Sequence, residues 1–336
     1  MNMTWRCLYR KPIIPAILFL SIVPTLVRSE GERINKEVFV SEGIRILRGP
    51  THTYFTAKEH CNFPKYTQLP NGDRYVSHSI GRHVVNERHL THRSRDKGKR
   101  WEIVESAAPS IVLKNGTSVS ISFSSRPAGE NTFEFQCRIS EDDWRTVVTN
   151  KVNITFPFKV KGVVCHGRPI QLEDGTVLAG LYHKAEGRKK YSTWVMASTD
   201  NGKTWQYRGE VARPPYPPGT GAEGACEPAL ALLENGDILC VMRTGGMAAM
   251  LQSKSNDGGT TWSPCAKLNT SNGVDPSLLL LDNGTLVCAF GRPHIKLMFS
   301  PQGDGSDWSK PFVFYRGPGD HYTSLWPLGK NRFLVA

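Results

Sequence analysis

The chain has 336 residues, of which 39% are hydrophobic and 21% charged, with 31 Gly and 22 Pro. That composition belongs to a folded, turn-rich protein; it excludes collagen, coiled coil and disorder, and a single apolar run near the start excludes a polytopic membrane protein. The formal charge of +12 favours acidic partners, of which nucleic acid is only one class.

The first segment, Met1 to about Ser29, reads as a leader. Arg6, Arg10 and Lys11 form a basic start, and Ile13 to Val27 is an apolar stretch interrupted by Pro15 and Pro24. Val27-Arg28-Ser29 ends on a small residue, as signal peptidase requires. The run is too short and too broken to span a bilayer, so the expectation is a cleaved secretory signal over 1–29, an extracellular protein and no stable membrane insertion; a retained signal anchor is the alternative. Arg6, Arg10, Lys11 and Arg28 leave with the leader, which takes the charge from +12 to +8. The densest basic stretch, Arg82 to Arg100, lacks interleaved aromatics and fits no nucleic-acid module, so it reads as a solvated strand and loop. Once Cys7 has left, seven cysteines remain, an odd number. Their spacing fits neither a zinc ribbon nor a redox motif. Cys240 and Cys288 read as buried core thiols, with room for a disulfide or two among the others after export. Asn115, Asn153, Asn269 and Asn283 begin glycosylation sequons.

From Pro64 onward an internal repeat dominates. An apolar run, an Asn-Gly or Asp-Gly turn and a second apolar run recur at Pro64–Gly72, Pro109–Gly116, Pro169–Gly175, Pro228–Gly236 and Pro276–Gly284, with a weaker copy at Ser324–Val335. The turn glycines recur every 44 to 61 residues. Such dipeptides tolerate the positive φ of a tight hairpin. Between the hairpins lies a second repeat, Ser-x-Asp-x-Gly-x-x-Trp, at Ser94–Trp101, Ser198–Trp205 and Ser255–Trp262, with degenerate copies at Ser140–Trp144 and Ser300–Trp308. Its Asp can cap backbone amides, its Gly supplies a left-handed residue, and its Trp packs inward. About four strands per unit and six units predict an all-β, six-bladed β-propeller over residues 30–336. The last blade is either truncated or closed by an N-terminal strand from Glu37–Leu47. The three full turn motifs resemble the Asp boxes of the sialidase (neuraminidase) superfamily, a resemblance that runs from about residue 44 to the end. In that fold the boxes are expected together on one rim, away from the pocket.

Hairpin geometry collects the polar residues that share the other rim. They are Asn62 with His78 and Arg82, His166 and Arg168 with His183, Glu227 with Arg243, Asp275 with Arg292, and finally His321 and Tyr322. Glu227-Pro-Ala-Leu resembles the sialidase blade that carries the catalytic glutamate. Arg243 resembles one arginine of the substrate-binding triad, Arg292 stands as another, and His321-Tyr322-Thr-Ser-Leu resembles the motif of the tyrosine nucleophile. The resemblance implies a retaining exo-glycosidase for terminal acidic sugars, with Tyr322 and Glu227 catalytic and no metal or organic cofactor. Its chemistry is coherent. A sialic acid carries a carboxylate on its anomeric carbon and would repel an anionic nucleophile, whereas a phenol is neutral. A free Tyr has a pKa near ~10, so it needs Glu227 as its base, and the arginines would bind the substrate carboxylate.

Two departures from the family pattern stand out. Asn62-Phe63-Pro64 replaces Arg-Ile-Pro, leaving Arg45 or Arg82 to compensate, and the acid/base Asp is absent from the stretch His83, Asn86, Glu87, His89, where Glu87 is the substitute. Two other readings follow from the same residues. His166, His183 and His321 would suit a uronate-polysaccharide lyase, and the lost Arg and Asp would suit a non-catalytic glycan-binding propeller.

Overall fold

A computed structural model describes residues 16–22, 36–41, 44–55, 61–82, 85–270, 272–316 and 322–336. Among them every regular element is a strand, so no helix there is long and apolar enough to cross a membrane. The strands group into antiparallel sheets, numbered I to VI here in chain order. Sheets I, III, IV and V are four-stranded meanders of consecutive strands, starting at Cys61–Gln68, Val164–Gln171, Cys226–Leu232 and Val274–Leu280. Sheet II, which starts at Ile111–Val112, adds a fifth strand to the same pattern.

The sheets stand side by side about one axis, and hydrogen bonds tie successive sheets together. Thr67 Oγ1 donates to the Pro109 carbonyl at 2.6 Å, and the Lys114 amide to Gln171 Oε1 at 2.7 Å. Thr193 Oγ1 donates to the Ala225 carbonyl at 3.1 Å. Further round, the Leu325 amide donates to Ser277 Oγ at 3.0 Å and the Tyr66 amide to Ser324 Oγ at 3.4 Å. The apolar core is divided in the same way, into slabs between successive sheets. One packs Trp194 and Phe156 between II and III, and another packs Val287 and Phe299 against Ile46 and Phe333 between V and VI. The molecule is an all-β propeller, as the repeats predict.

Sheet VI is assembled from both ends of the chain. Its order runs Leu325–Gly329, Arg332–Val335, Ala16–Ile22, Ile44–Thr53, Lys36–Ser41. The expected Glu37–Leu47 segment therefore does pair here. Ala16–Ile22, from the stretch that reads as a leader, lies between it and the C-terminal hairpin, with Leu18 opposite Val335.

The turn motifs work as their chemistry dictates. In each full copy the Ser hydroxyl donates to the Asp carboxylate and accepts the Gly amide, while the indole donates to the Gly carbonyl; for Ser198–Trp205 these distances are 2.8, 2.8 and 3.0 Å. Trp205 is buried, and Trp101 and Trp262 are half-buried. The Ser140 copy differs. Trp144 occupies the glycine position at φ 64°, and its indole donates to the Ala107 carbonyl at 2.8 Å in the slab between sheets I and II. The described cysteines are all free, so no disulfide forms among them; Cys240 and Cys288 are buried, as their apolar strands imply.

Candidate functional site

The hairpin turns supply a common ruler. The amides of Leu69, Leu113, Leu172, Leu233 and Leu281 each bond the carbonyl four residues on, at Asp73, Thr117, Thr176, Asp237 and Thr285. Six residues upstream of those leucines stand Phe63, Ala107, His166, Glu227 and Asp275; four upstream stand Lys65, Pro109, Arg168, Ala229 and Ser277. The first set forms an upper tier and the second a lower tier along the axis, Ala229 of the lower set packing into the slab between sheets IV and V. Phe63, Glu227 and Asp275 take φ of 54°, 47° and 46°, each just before a proline, and His166 precedes Gly167 at φ 79°. The ladder slips at each of these points, between Asn62 and Lys65, His166 and Ile170, Cys226 and Ala229, and Val274 and Ser277. A bulge of this kind re-aims a side chain at the cost of backbone strain, and such strain gathers at functional sites.

Glu227 is buried and fully engaged. Arg243 Nη1 donates to its Oε1 at 2.6 Å, and the Asp275 amide to its Oε2 at 2.9 Å. Arg243 Nη2 donates to Glu223 Oε1 at 3.0 Å, so one guanidinium holds two carboxylates. Asp275 is buried beside them. Burial, and then the charge of Glu227, push its carboxyl up to about 8, so it keeps its proton at neutral pH. His166 Nε2 lies 3.3 Å from Asp275 Oδ1. Burial, with Lys65 and Arg243 nearby, pulls that imidazole down to about 3. A neutral imidazole facing a protonated acid makes a hydrogen bond, not an ion pair.

Tyr322, on the approach to sheet VI, is buried with its ring 4.1 Å from that of Phe63. Burial first, then Glu227 and Asp275, push its phenol above the ordinary range, while Arg292 and Arg243 oppose the shift. The hydroxyl therefore lies in the field of all four groups. Of the rim residues expected from the sequence, Glu227, Arg243, Asp275, His166, Arg292 and Tyr322 come together. Asn62 is buried just before the bulge of its strand. Arg168 points into the lower tier, its guanidinium 4.3 Å from the Trp326 ring across the channel.

Other expectations fare differently. His183 packs on Gly162 and against Tyr191. His78 turns into the sheet, where its Nε2 meets His92 Nε2 at 3.0 Å. Arg45 lies in sheet VI, opposite Val40. The side chains of Arg82 and Glu87, and the whole of His321, lie outside the described residues. No cluster of three or more His, Cys, Asp or Glu among the described residues could hold a metal. The sequence reading missed Glu223, which sits in an irregular loop with no periodic place to reveal it. It also missed Lys65, which alignment on the turn leucines would have found.

The profile of the BNR repeat-like domain family matches residues 117–333. No curated protein matches the sequence. Among solved structures the chain is similar to a protein of unknown function from Dyadobacter fermentans, with TM-score 0.64 and 20% identity over 83% of this chain and 90% of that one. It is also similar to a Hadza microbial sialidase, with TM-score 0.62 and 16% identity over 96% and 89% of the two chains. A third is an α-L-arabinanase of Penicillium chrysogenum complexed with arabinobiose, with TM-score 0.58 and 17% identity over 82% and 92%. At such identities the likeness is one of fold, and that fold hosts more than one sugar chemistry.

Proposed function

Because the chain belongs to the BNR repeat-like domain family, within the sialidase-like superfamily, we propose that it is a secreted exo-glycosidase, built on a six-bladed ring, that removes terminal acidic sugars of the sialic acid class. The observation that supports this most is the buried Glu227, held by Arg243 and the Asp275 amide, with the Tyr322 phenol in its field. In this reading Tyr322 attacks the anomeric carbon as its proton passes to Glu227. A phenol held above its ordinary pKa is a poor nucleophile until that transfer begins, which couples deprotonation to attack. Arg292, beside the phenol, meets the substrate carboxylate. The departing oxygen needs a proton. Asp275 keeps one at neutral pH and takes this role here, in place of Glu87. Water then releases the sugar from the tyrosine with retention.

A screen with fluorogenic sialosides, glucuronides and arabinosides tests the proposal. The expected result is release from an acidic sugar that falls at least ~10²-fold in Tyr322→Phe, the scale of a lost nucleophile or proton-transfer group. Release that Tyr322→Phe leaves unchanged, or release from arabinosides alone, would overturn it. A uronate lyase is the second reading, favoured by the meeting of His166 with Asp275 and of Tyr322 with Glu227 in one cluster, residue types that can neutralise a carboxylate and relay a proton. That reaction would show as a rise in ultraviolet absorbance on uronate polymers. Secretion has its own test. Protein recovered from an exporting host should begin near residue 30, and an intact mass that retains Ala16–Ile22 would refute the leader in favour of its use as a strand.

A further inference from the structure

Arg243 commits one N–H of each Nη to Glu227 and Glu223, so two carboxylates already offset its single charge before a substrate arrives. Asn62 brings no charge to its own place. The lower tier of the channel supplies what these two positions lack. Its residues are Lys65, Pro109, Arg168, Ala229 and Ser277, two cations in a tier with no acid. The ion contacts of the site are Arg243 with Glu227, Arg243 with Glu223, and His166 with Asp275; Lys65 takes part in none of them.

Where Lys65 stands is fixed from both sides. Two residues before it, Phe63 stacks on Tyr322 at 4.1 Å. One residue after it, the Tyr66 amide bonds Ser324 Oγ, two residues past that tyrosine. The backbone of the lysine is therefore held beside the segment that carries the phenol into sheet VI. It is exposed, whereas Glu227, Asp275, His166 and Tyr322 are buried. Its ammonium, anchored in sheet I, lies within electrostatic reach of His166 of sheet III and Asp275 of sheet V. In the same tier Arg168 rests on the Trp326 ring, and burial pulls its guanidinium down to about 10, with no acid among the described residues to hold it up. A buried cation without a partner is costly unless an anion joins it.

We infer that Lys65 receives the carboxylate of the acidic sugar together with Arg292, with Arg168 adding positive potential from across the channel. This deepens the glycosidase reading of the same site and rests on it. A lysine is a point charge on a flexible stem, not a bidentate fork. The pocket should therefore discriminate by charge more than by carboxylate geometry, and accept uronates as well as sialic acids.

The test uses the full chain and two probe pairs, methyl glycosides of N-acetylneuraminate and of glucuronate, each beside its own methyl ester, followed by calorimetry or ligand-observed NMR. Wild type should bind the acids at least roughly tenfold more tightly than the esters, the scale of one charge-assisted hydrogen bond. Lys65→Gln should cut that ratio severalfold and Lys65→Arg should keep most of it. Should Lys65→Gln fail to fold, the wild-type ratio is measured at low and high salt instead, where it should shrink as salt rises. Equal binding of acid and ester by wild type, an unchanged ratio in Lys65→Gln, or a ratio insensitive to salt would overturn the inference. Failure of the glycosidase reading looks different: acid preference cut in Lys65→Gln with no sugar released from any glycoside.

Discussion

Asp275→Asn should make the protein more stable at neutral pH, and the size of the gain follows from its surroundings. The wild-type carboxyl is pushed from an ordinary 3.8 up to about 8, by burial first and by Glu227 second, with Lys65, the contact to Thr323 and Arg243 pulling the other way. The sign follows from proton counting. Between about pH 4 and pH 8 the folded state holds a proton that the unfolded state has released, so stability falls as pH rises, by about 1.4 kcal/mol per pH unit. At pH 7 the accumulated loss is about 4 kcal/mol. An asparagine mimics the protonated acid in shape, and its amide oxygen can still accept from His166 Nε2, which lies 3.3 Å from Asp275 Oδ1. The variant removes the titration while keeping the contact. Urea unfolding of both proteins at pH 5, 6, 7 and 8 gives the difference curve, from which groups common to both proteins cancel. His166, held down to about 3, is one such group. The expected difference is small at pH 5 and grows to several kcal/mol by pH 8. Parallel curves would refute the claim that Asp275 keeps its proton in the fold. In the activity assay the same variant should lose the proton donor, and wild-type turnover should decline as pH rises past about 8.

Gly167→Ala should destabilise the site from the backbone outward. The residue sits at φ 79° and a Cβ there would collide with the Pro228 carbonyl oxygen, next to Glu227. The left-handed conformation alone costs about 1–2 kcal/mol for a residue with a Cβ, so the melting temperature should drop, and activity should drop further than at Gly236→Ala, where the added atom meets nothing within 4 Å. Equal effects at the two positions would contradict the close approach of sheets III and IV. The turn motifs should make the fold acid-sensitive. Hydrogen bonds from Thr261 and Ser255 pull Asp257 from 3.8 down to about 2, and Asp142 is pulled to about 2 by Thr146 and Ser140. A depressed carboxyl contributes stability above about pH 4 that is lost as pH falls towards 2. Unfolding midpoints from pH 5 to 2.5 should therefore fall less steeply in Asp257→Asn than in wild type, and identical slopes would count against the motif as a stabilising device.

What could be read in the sequence is what short-range chemistry encodes. The Asn-Gly hairpins and the Ser-x-Asp-x-Gly-x-x-Trp turns close on themselves within a few residues, so their residues announce their conformation. Trp144 shows the limit of that rule: the pattern admits it as a degenerate copy, yet with no glycine available the tryptophan itself takes the φ 64° position and its indole donates to the Ala107 carbonyl instead of back to the turn. The hairpin rule also placed His166, Glu227 and Asp275 on one tier, because a strand of known length carries its first residue a fixed distance from its turn. It misplaced His78, a second-strand residue that turns into its sheet to meet His92 instead of facing the rim. Ala16–Ile22 was ambiguous in principle, since one apolar run serves equally as a leader and as a buried strand.

The chemistry of the site was less legible than its membership, because it depends on pairs far apart in the chain. Arg243 reads as a substrate-binding arginine until Glu223 is placed beside it, and Glu223 has no position in any repeat. His166 and Asp275 lie in sheets III and V, which are not neighbours in the ring, and they meet only because the bulges turn both side chains to the axis. That contact and the Glu227 charge decide which acid keeps a proton. The arginine missing at Asn62 makes the same point about charge. Judged by its own position the loss predicts a disabled pocket, whereas three residues on, past a bulge, the same strand sets a cation within electrostatic reach of Asp275. A substitution at a site built from several strands is therefore to be judged by the net charge around the axis, and not by the single position where a family pattern expects it.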